Sequence, residues 1–193
     1  MNKRRILILL ISLFAFFNSY SVYADSCYNK SPNLRQLGND GYYSLKHPIR
    51  LSSVQQEFLN NLFSSMQGQW TGSSTITTCL GSEKNSRVVT NQFNINTTIA
   101  RSTGLKIRLD TKKYNSETKI TSSIKTFIDT TSLFDIATTN DSVTLTQRYR
   151  TASGSILSEW IINIKHSQDS LYISSELFNN GIFASSEQMI LSR

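Results

Sequence analysis

The feature that most constrains the fold is a change of hydrophobic period at Gly68. Before it, Val54, Phe58, Leu59, Leu62, Phe63 and Met66 recur at helical spacing; after it, apolar and polar residues alternate in twos to Arg193. Alternation over that length describes strands with one apolar and one wet face. The pattern predicts strands near Gln69–Leu80, Arg87–Ala100, Leu105–Lys113, Thr118–Ile128, Leu133–Thr138, Ser142–Thr151, Ile156–Lys165, Leu171–Phe178 and Ile182–Arg193. Turn-forming sequences such as Gly81-Ser82, Asn140-Asp141, Ser153-Gly154 and Asn179-Asn180-Gly181 separate them. Short strands joined this tightly make an up-and-down antiparallel sheet, and eight or nine of them curl into a β-barrel to protect their edges. The fold expected is therefore mainly β, with a β-sandwich as the alternative.

The helical stretch is predicted over Ser52–Met66. Ser52 and Ser53 are N-cap residues, Gln55 and Gln56 stand three positions on as a capping box requires, and Gly68 ends the helix. Its apolar stripe suits a lid or plug laid against the sheet.

Parity sorts the strands into faces. Trp70, Ile76 and Leu80 share one face of the first strand, and Cys79 lies on the other. Later strands keep Phe93, Ile95 and Ile99, then Ile107 and Leu109, then Val143, Leu145 and Tyr149, then Trp160, Ile162 and Ile164 on one parity. With the Trp70 face turned inward, Trp70, Phe93, Ile95, Leu145, Tyr149, Trp160 and Ile162 are candidates to line a ligand cavity. A barrel of about eight strands can just enclose one small ligand.

The first 24 residues read as a secretory signal peptide. Lys3, Arg4 and Arg5 precede an apolar run from Ile6 to Phe17, and Val22-Tyr23-Ala24 offers a cleavage site after Ala24. The run is short of the roughly 20 apolar residues that a transmembrane helix needs, and no later segment is apolar enough to span. A short basic leader of this type is bacterial in character, so the destination expected is the periplasm or the exterior. Removing three cations reduces the net charge of +7 to about +4, which suits solubility and is no footprint for nucleic acid. Residues 25–51 form an irregular arm rich in turn signals, ahead of a domain spanning 52–193. Cys27 in the arm and Cys79 are the chain's two cysteines, and in an oxidising compartment such a pair forms a disulfide. It would tether the arm to the outer wall.

Gly68-Gln69-Trp70-Thr71-Gly72, opening the first strand straight after a helix, resembles the calycin group of lipocalins, fatty-acid-binding proteins and their bacterial relatives. The resemblance covers Ser52–Arg193 in layout. It implies a barrel plugged at one end by Trp70, with a basic residue from the final strand packed over the indole, and here that residue is Arg193.

Chemistry-bearing constellations are sparse. His47 and His166 have no ligand-like spacing to either cysteine, so neither a metal site nor a cofactor is expected. His166 with Asp169, and the carboxylates Glu159 and Glu176, are enzyme-like pairs whose simpler reading is a turn and a wet strand face; no Gly-x-Ser-x-Gly elbow accompanies them. Lys106, Arg108 and Lys112 share a parity and form a basic stripe on the outer wall. Such a stripe suits an anionic surface or an acidic protein partner, or simply a solvated face that discourages edge pairing. The chain thus reads as an exported, non-enzymatic binder of a small apolar or amphipathic, lipid-like ligand. The alternative is a filled barrel that acts as a protein-interaction module, and interior volume distinguishes the two.

Overall fold

Ser52 starts helix α1 (Ser53–Ser65) with a complete capping box: its side chain accepts from the Gln55 N–H, and its own N–H donates to the Gln55 side chain. Such a cap stabilises a helix by about 1 kcal/mol. Leu59, Phe63 and Met66 are fully buried, with Phe58 and Leu62 packed beside them. Val54, expected on this stripe, is 74% exposed. A face position is buried only where something lies opposite, and the buried stripe begins one turn later. The computed structural model describes residues 27, 29–33, 48–139, 141–150 and 156–193; the expected signal peptide 1–24, most of the arm with His47, and the turn residues Asn140 and Ser153-Gly154 lie outside them.

Nine strands follow: β1 (Gly68–Leu80), β2 (Arg87–Arg101), β3 (Lys106–Tyr114), β4 (Thr121–Asp129), β5 (Leu133–Thr138), β6 (Ser142–Arg150), β7 (Leu157–His166), β8 (Ser170–Asn179) and β9 (Ile182–Ser192). They form one sheet in the order β4-β3-β2-β1-β9-β8-β7-β6-β5, and every pairing is antiparallel. The first and last strands meet, so the meander curls into a half-barrel.

Following the strand directions both ways round from β1 shows that β4 and β5 run in the same sense. They act as one long strand broken by the 3₁₀ turn Thr130–Ser132. Its first half pairs with β3 and its second with β6, and no ladder joins the halves. Nine strands therefore occupy eight strand positions. Side chains and backbone hold this seam: Gln147 of β6 donates to the Asp129 carbonyl (2.6 Å) and to Ser132 Oγ (3.0 Å), and the Ile49 N–H donates to Leu133 O (2.9 Å).

Inward parity gives the core. Trp70, Ile99, Ile107, Leu109, Leu145, Ile162 and Ile164 are buried against α1, and each such side chain contributes about 1.5–3 kcal/mol through removal from water. Outside the wall, Cys27 and Cys79 form the expected disulfide, with Cα atoms 5.3 Å apart. The arm then runs beside the start of β9. Lys30 bridges to Ile182, the Ser31 N–H donates to Gly181 O, and the Phe183 N–H donates to Asn29 O. Among the described residues no helix is long and apolar enough to cross a membrane.

Candidate functional site

The interior divides into two halves of different chemistry. At the α1 end it is filled: Trp70 donates its indole N–H to Met66 O (2.8 Å), and Ile95, Leu145 and Ile162 are at most 3% exposed within the packed core. A half-open groove of about 350 Å³ flanks this packed half between α1 and β6–β7, lined by Phe58, Leu62, Val143, Ile164 and His166. At the opposite end the inward positions turn polar. Ser74, Lys113 and Glu187 replace the aliphatics, whereas Thr97 and Thr111, bonded to each other at 3.0 Å, lie in register with Trp70.

Here a half-open cup of about 190 Å³ lies between Ile76, Tyr149, Trp160, Ser175, Leu177, Ser185 and Glu187. The register explains the assembly. Ile76 of β1 pairs with Glu187 of β9, which pairs with Ser175 of β8; one step higher, Ser185, Leu177 and Trp160 line up across β9, β8 and β7. Each shares parity with the buried core residues of its strand.

Beside the cup sits an ion pair. Lys113, only 3% exposed, donates to Glu187 Oε1 at 2.6 Å, and Ser74 donates to the same oxygen at 2.7 Å. The Lys113 ammonium also lies 5.9 Å from the centre of the Phe93 ring. Both hydrogen bonds land on Oε1, and Oε2 has no donor among the described residues. A carboxylate holds about four acceptor sites, so Glu187 keeps capacity for a partner carrying a hydroxyl or amine.

The seven lining candidates are distributed unequally. Tyr149 and Trp160 border the cup, with Tyr149 46% exposed. Phe93 is half-buried under Lys113. Trp70, Ile95, Leu145 and Ile162 sit in the packed half. Leu80, read as inward, is 40% exposed at the end of β1, where the wall outruns the core. Sequence reasoning missed Lys113, Glu187 and Ser74. Lys113 shares parity with Ile107 and Leu109, and Glu187 with Met189 and Leu191, so alternation alone places both on the inward face.

At the plugged end Arg193 lies over Trp70, its Cζ 4.3 Å from the ring centre, and donates to Ser65 O and Gln67 O. His166 meets Trp70 edge-on, with centroids 6.0 Å apart, and its Nδ1 is 3.4 Å from Ser65 Oγ. Burial, helped by the Arg193 charge, holds the imidazole below its ordinary pKa.

On the outer wall the basic stripe is partly neutralised. Lys106 pairs with Asp129 (3.0 Å) and lies over Phe127, Arg108 pairs with Asp110 (2.8 Å), and Lys112 is exposed. Burial raises the Asp129 pKa, but bonds from the Thr131 N–H, Lys106 and the Thr131 hydroxyl, with the Lys106 charge, outweigh it and leave the carboxyl below its usual range. Glu159 is fully buried beneath the arm, one oxygen accepting from Ser31 and the other from Arg148 Nε at 2.6 Å. Glu176 lies on the same outer face, and burial pushes its carboxyl up.

No protein-family model matches this chain, and a search of curated proteins finds no match.

Proposed function

We propose that the protein is an exported, non-enzymatic binder of a small amphipathic molecule held in the cup at the open end of the half-barrel. The observation that carries this reading is the Glu187 carboxylate, fixed by Lys113 and Ser74 beside the half-open cup of Trp160, Tyr149, Ile76 and Leu177. Aromatic and aliphatic walls with a few fixed polar groups are the general make-up of small-ligand sites. The cup is below the roughly 300–1,000 Å³ of a pocket that engulfs a drug-sized ligand. The ligand is therefore a short molecule, or one end of a longer one, with an apolar body and a hydrogen-bond donor directed at Glu187. The Cys27–Cys79 disulfide supports residence in an oxidising compartment. The commitment of both Glu159 oxygens to Ser31 and Arg148 supports binding over carboxylate chemistry.

The test is native mass spectrometry of protein purified from its own cell, followed by titration of the recovered compound against Trp160 fluorescence. A co-purifying small mass should appear, Trp160→Phe should remove the optical response, and Glu187→Gln should weaken binding about tenfold. The reading fails if no mass co-purifies and no compound in a panel of short-chain alcohols, amines and phenols raises Tm.

A further inference from the structure

A second concave surface lies on the outer wall, across the sheet from the cup. On β7, β8 and β9 the outward residues form a grid in register. Ile161, Glu176 and Ser186 make one row, Asn163, Ser174 and Gln188 the next, and Lys165, Tyr172 and Ile190 the third. The outer face of a curled sheet is normally convex and its side chains exposed. Here every residue of the first two rows, and Tyr172 in the third, is only partly exposed. A groove of about 420 Å³ runs over them. Its upper bank is the row beyond Glu176, where Glu159 and Phe178 are buried and the arm is bonded down through Ser31.

The lining is unusual for a strand face in having almost no net charge. Lys165 is paired with Asp141 (3.9 Å), and Glu176 stands two rows away with amides and hydroxyls between. Gln188 carries both donors and an acceptor, Asn163 donates to Thr144 Oγ1 (2.9 Å) and keeps its carbonyl oxygen as an acceptor, and Ser174 and Ser186 can do either. The middle row continues in kind across the sheet to Thr144 on one side and to Thr75 and Gln92 on the other. Glu176 makes no hydrogen bond or ion pair among the described residues, and burial leaves its carboxyl short of solvent. Ile161, Ile190 and the Tyr172 ring add apolar surface beside these groups.

From this we infer that the β7–β9 groove is a binding site for a neutral saccharide. Sugar hydroxyls both donate and accept, as amides and serines do, and the C–H face of a pyranose packs on an aromatic or aliphatic surface. Glu176 accepts from paired sugar hydroxyls. Phosphorylated or sulfated polymers are disfavoured, because the groove offers them one lysine, itself paired with Asp141, and a carboxylate, Glu176, unpaired among the described residues. Ser175 and Ser186 border both this groove and the cup, whereas Glu176, Gln188 and Tyr172 border the groove and not the cup.

Full-length secreted protein is titrated with chitotriose, maltotriose and cellotriose by saturation-transfer NMR, with a sulfated disaccharide as the charged comparison. Saturable binding of at least one neutral sugar is expected. Gln188→Ala with Tyr172→Ala should weaken it about tenfold or more. Glu176→Gln, which keeps the side-chain shape, should weaken it without lowering Tm, and Trp160 fluorescence titrations should be unaffected by either variant. The inference is overturned if none of the neutral sugars binds, if only the sulfated one binds, or if the variants bind as the parent does. It is equally overturned if the parent sediments as a dimer that the Gln188→Ala/Tyr172→Ala variant abolishes, since the groove would then seat a second copy of the chain.

Discussion

The Arg193 guanidinium lies 4.3 Å from the centre of the Trp70 indole while donating to two carbonyls, Ser65 O and Gln67 O, at the end of α1. One side chain thus ties the final strand to the plug and satisfies helix-terminal acceptors that would otherwise have only water. Arg193→Met keeps the aliphatic stem but loses both effects, and should cost about 1–2 kcal/mol. Arg193→Lys should recover less than half of that, because an ammonium cannot stack and fork together. Denaturant midpoints at unchanged m-value check both.

Gly72 tests how closely β1 and β9 approach. A Cβ there would lie 1.9 Å from the Ile190 carbonyl oxygen, which is backbone and cannot rotate away. Gly72→Ala should destabilise by about 3 kcal/mol or break the β1–β9 pairing. Loss of amide-exchange protection in β9 ahead of β3 would locate the damage; an unchanged Tm would show that the two strands lie further apart than described.

The disulfide and the arm form one device. Cys27 and Cys79 are separated by 52 positions, and closing a loop of that size is worth about 4 kcal/mol in the chain-entropy model. Reduction, or Cys27→Ser with Cys79→Ser, should lower stability by about that amount. It should also release the arm, exposing Glu159 to solvent with only Arg148 as its partner. Ser31→Ala in the oxidised protein should reproduce a smaller loss of about 1–3 kcal/mol, since a buried carboxylate oxygen then lacks its donor. Thermal melts with and without reductant measure both.

His166 sets a pH dependence of definite sign. Its folded pKa is depressed, by burial first and the Arg193 charge second, so the unfolded chain binds the proton more readily. Stability should be full above the unfolded value of about 6.5 and should fall as pH drops through the window between that value and the folded one. Glu176 acts oppositely: its raised carboxyl makes a contribution present below the unfolded carboxylate value and lost as pH rises through the folded one. Melts from pH 8 to pH 5 in a His47→Ala background should show the histidine slope, and His166→Gln should flatten it. A slope that survives the substitution would assign the titration elsewhere.

The strand set, the helix with its capping box and the outward parity of Cys79 were legible because caps, turns and a period of two depend on neighbours in the chain. Strand limits differ from those expected by only a few residues. The same rules put Lys113 on the inward face with Ile107 and Leu109, yet its partner Glu187 is 74 positions away. Which carboxylate meets that lysine depends on how far the sheet curls before β9 joins β1, and no local pattern encodes that.

The break between β4 and β5 belongs to the same class. Alternation marks both strands, but not that they run in one direction as halves of a single strand, with the seam held by Gln147 and Ile49. Burial of Glu159 on the outer wall likewise depends on the arm bonded to it through Ser31, and that of Arg148 on Glu159 and the Phe134 ring, since strand parity alone puts both in water. By itself, the sequence determined the elements, their faces and the covalent tether, because these follow from local sterics and periodicity. Only the tertiary structure decided which half of the interior is filled, which charges meet inside it and where the outer wall turns concave, because those outcomes follow from the register of the curled sheet and from groups far apart in sequence.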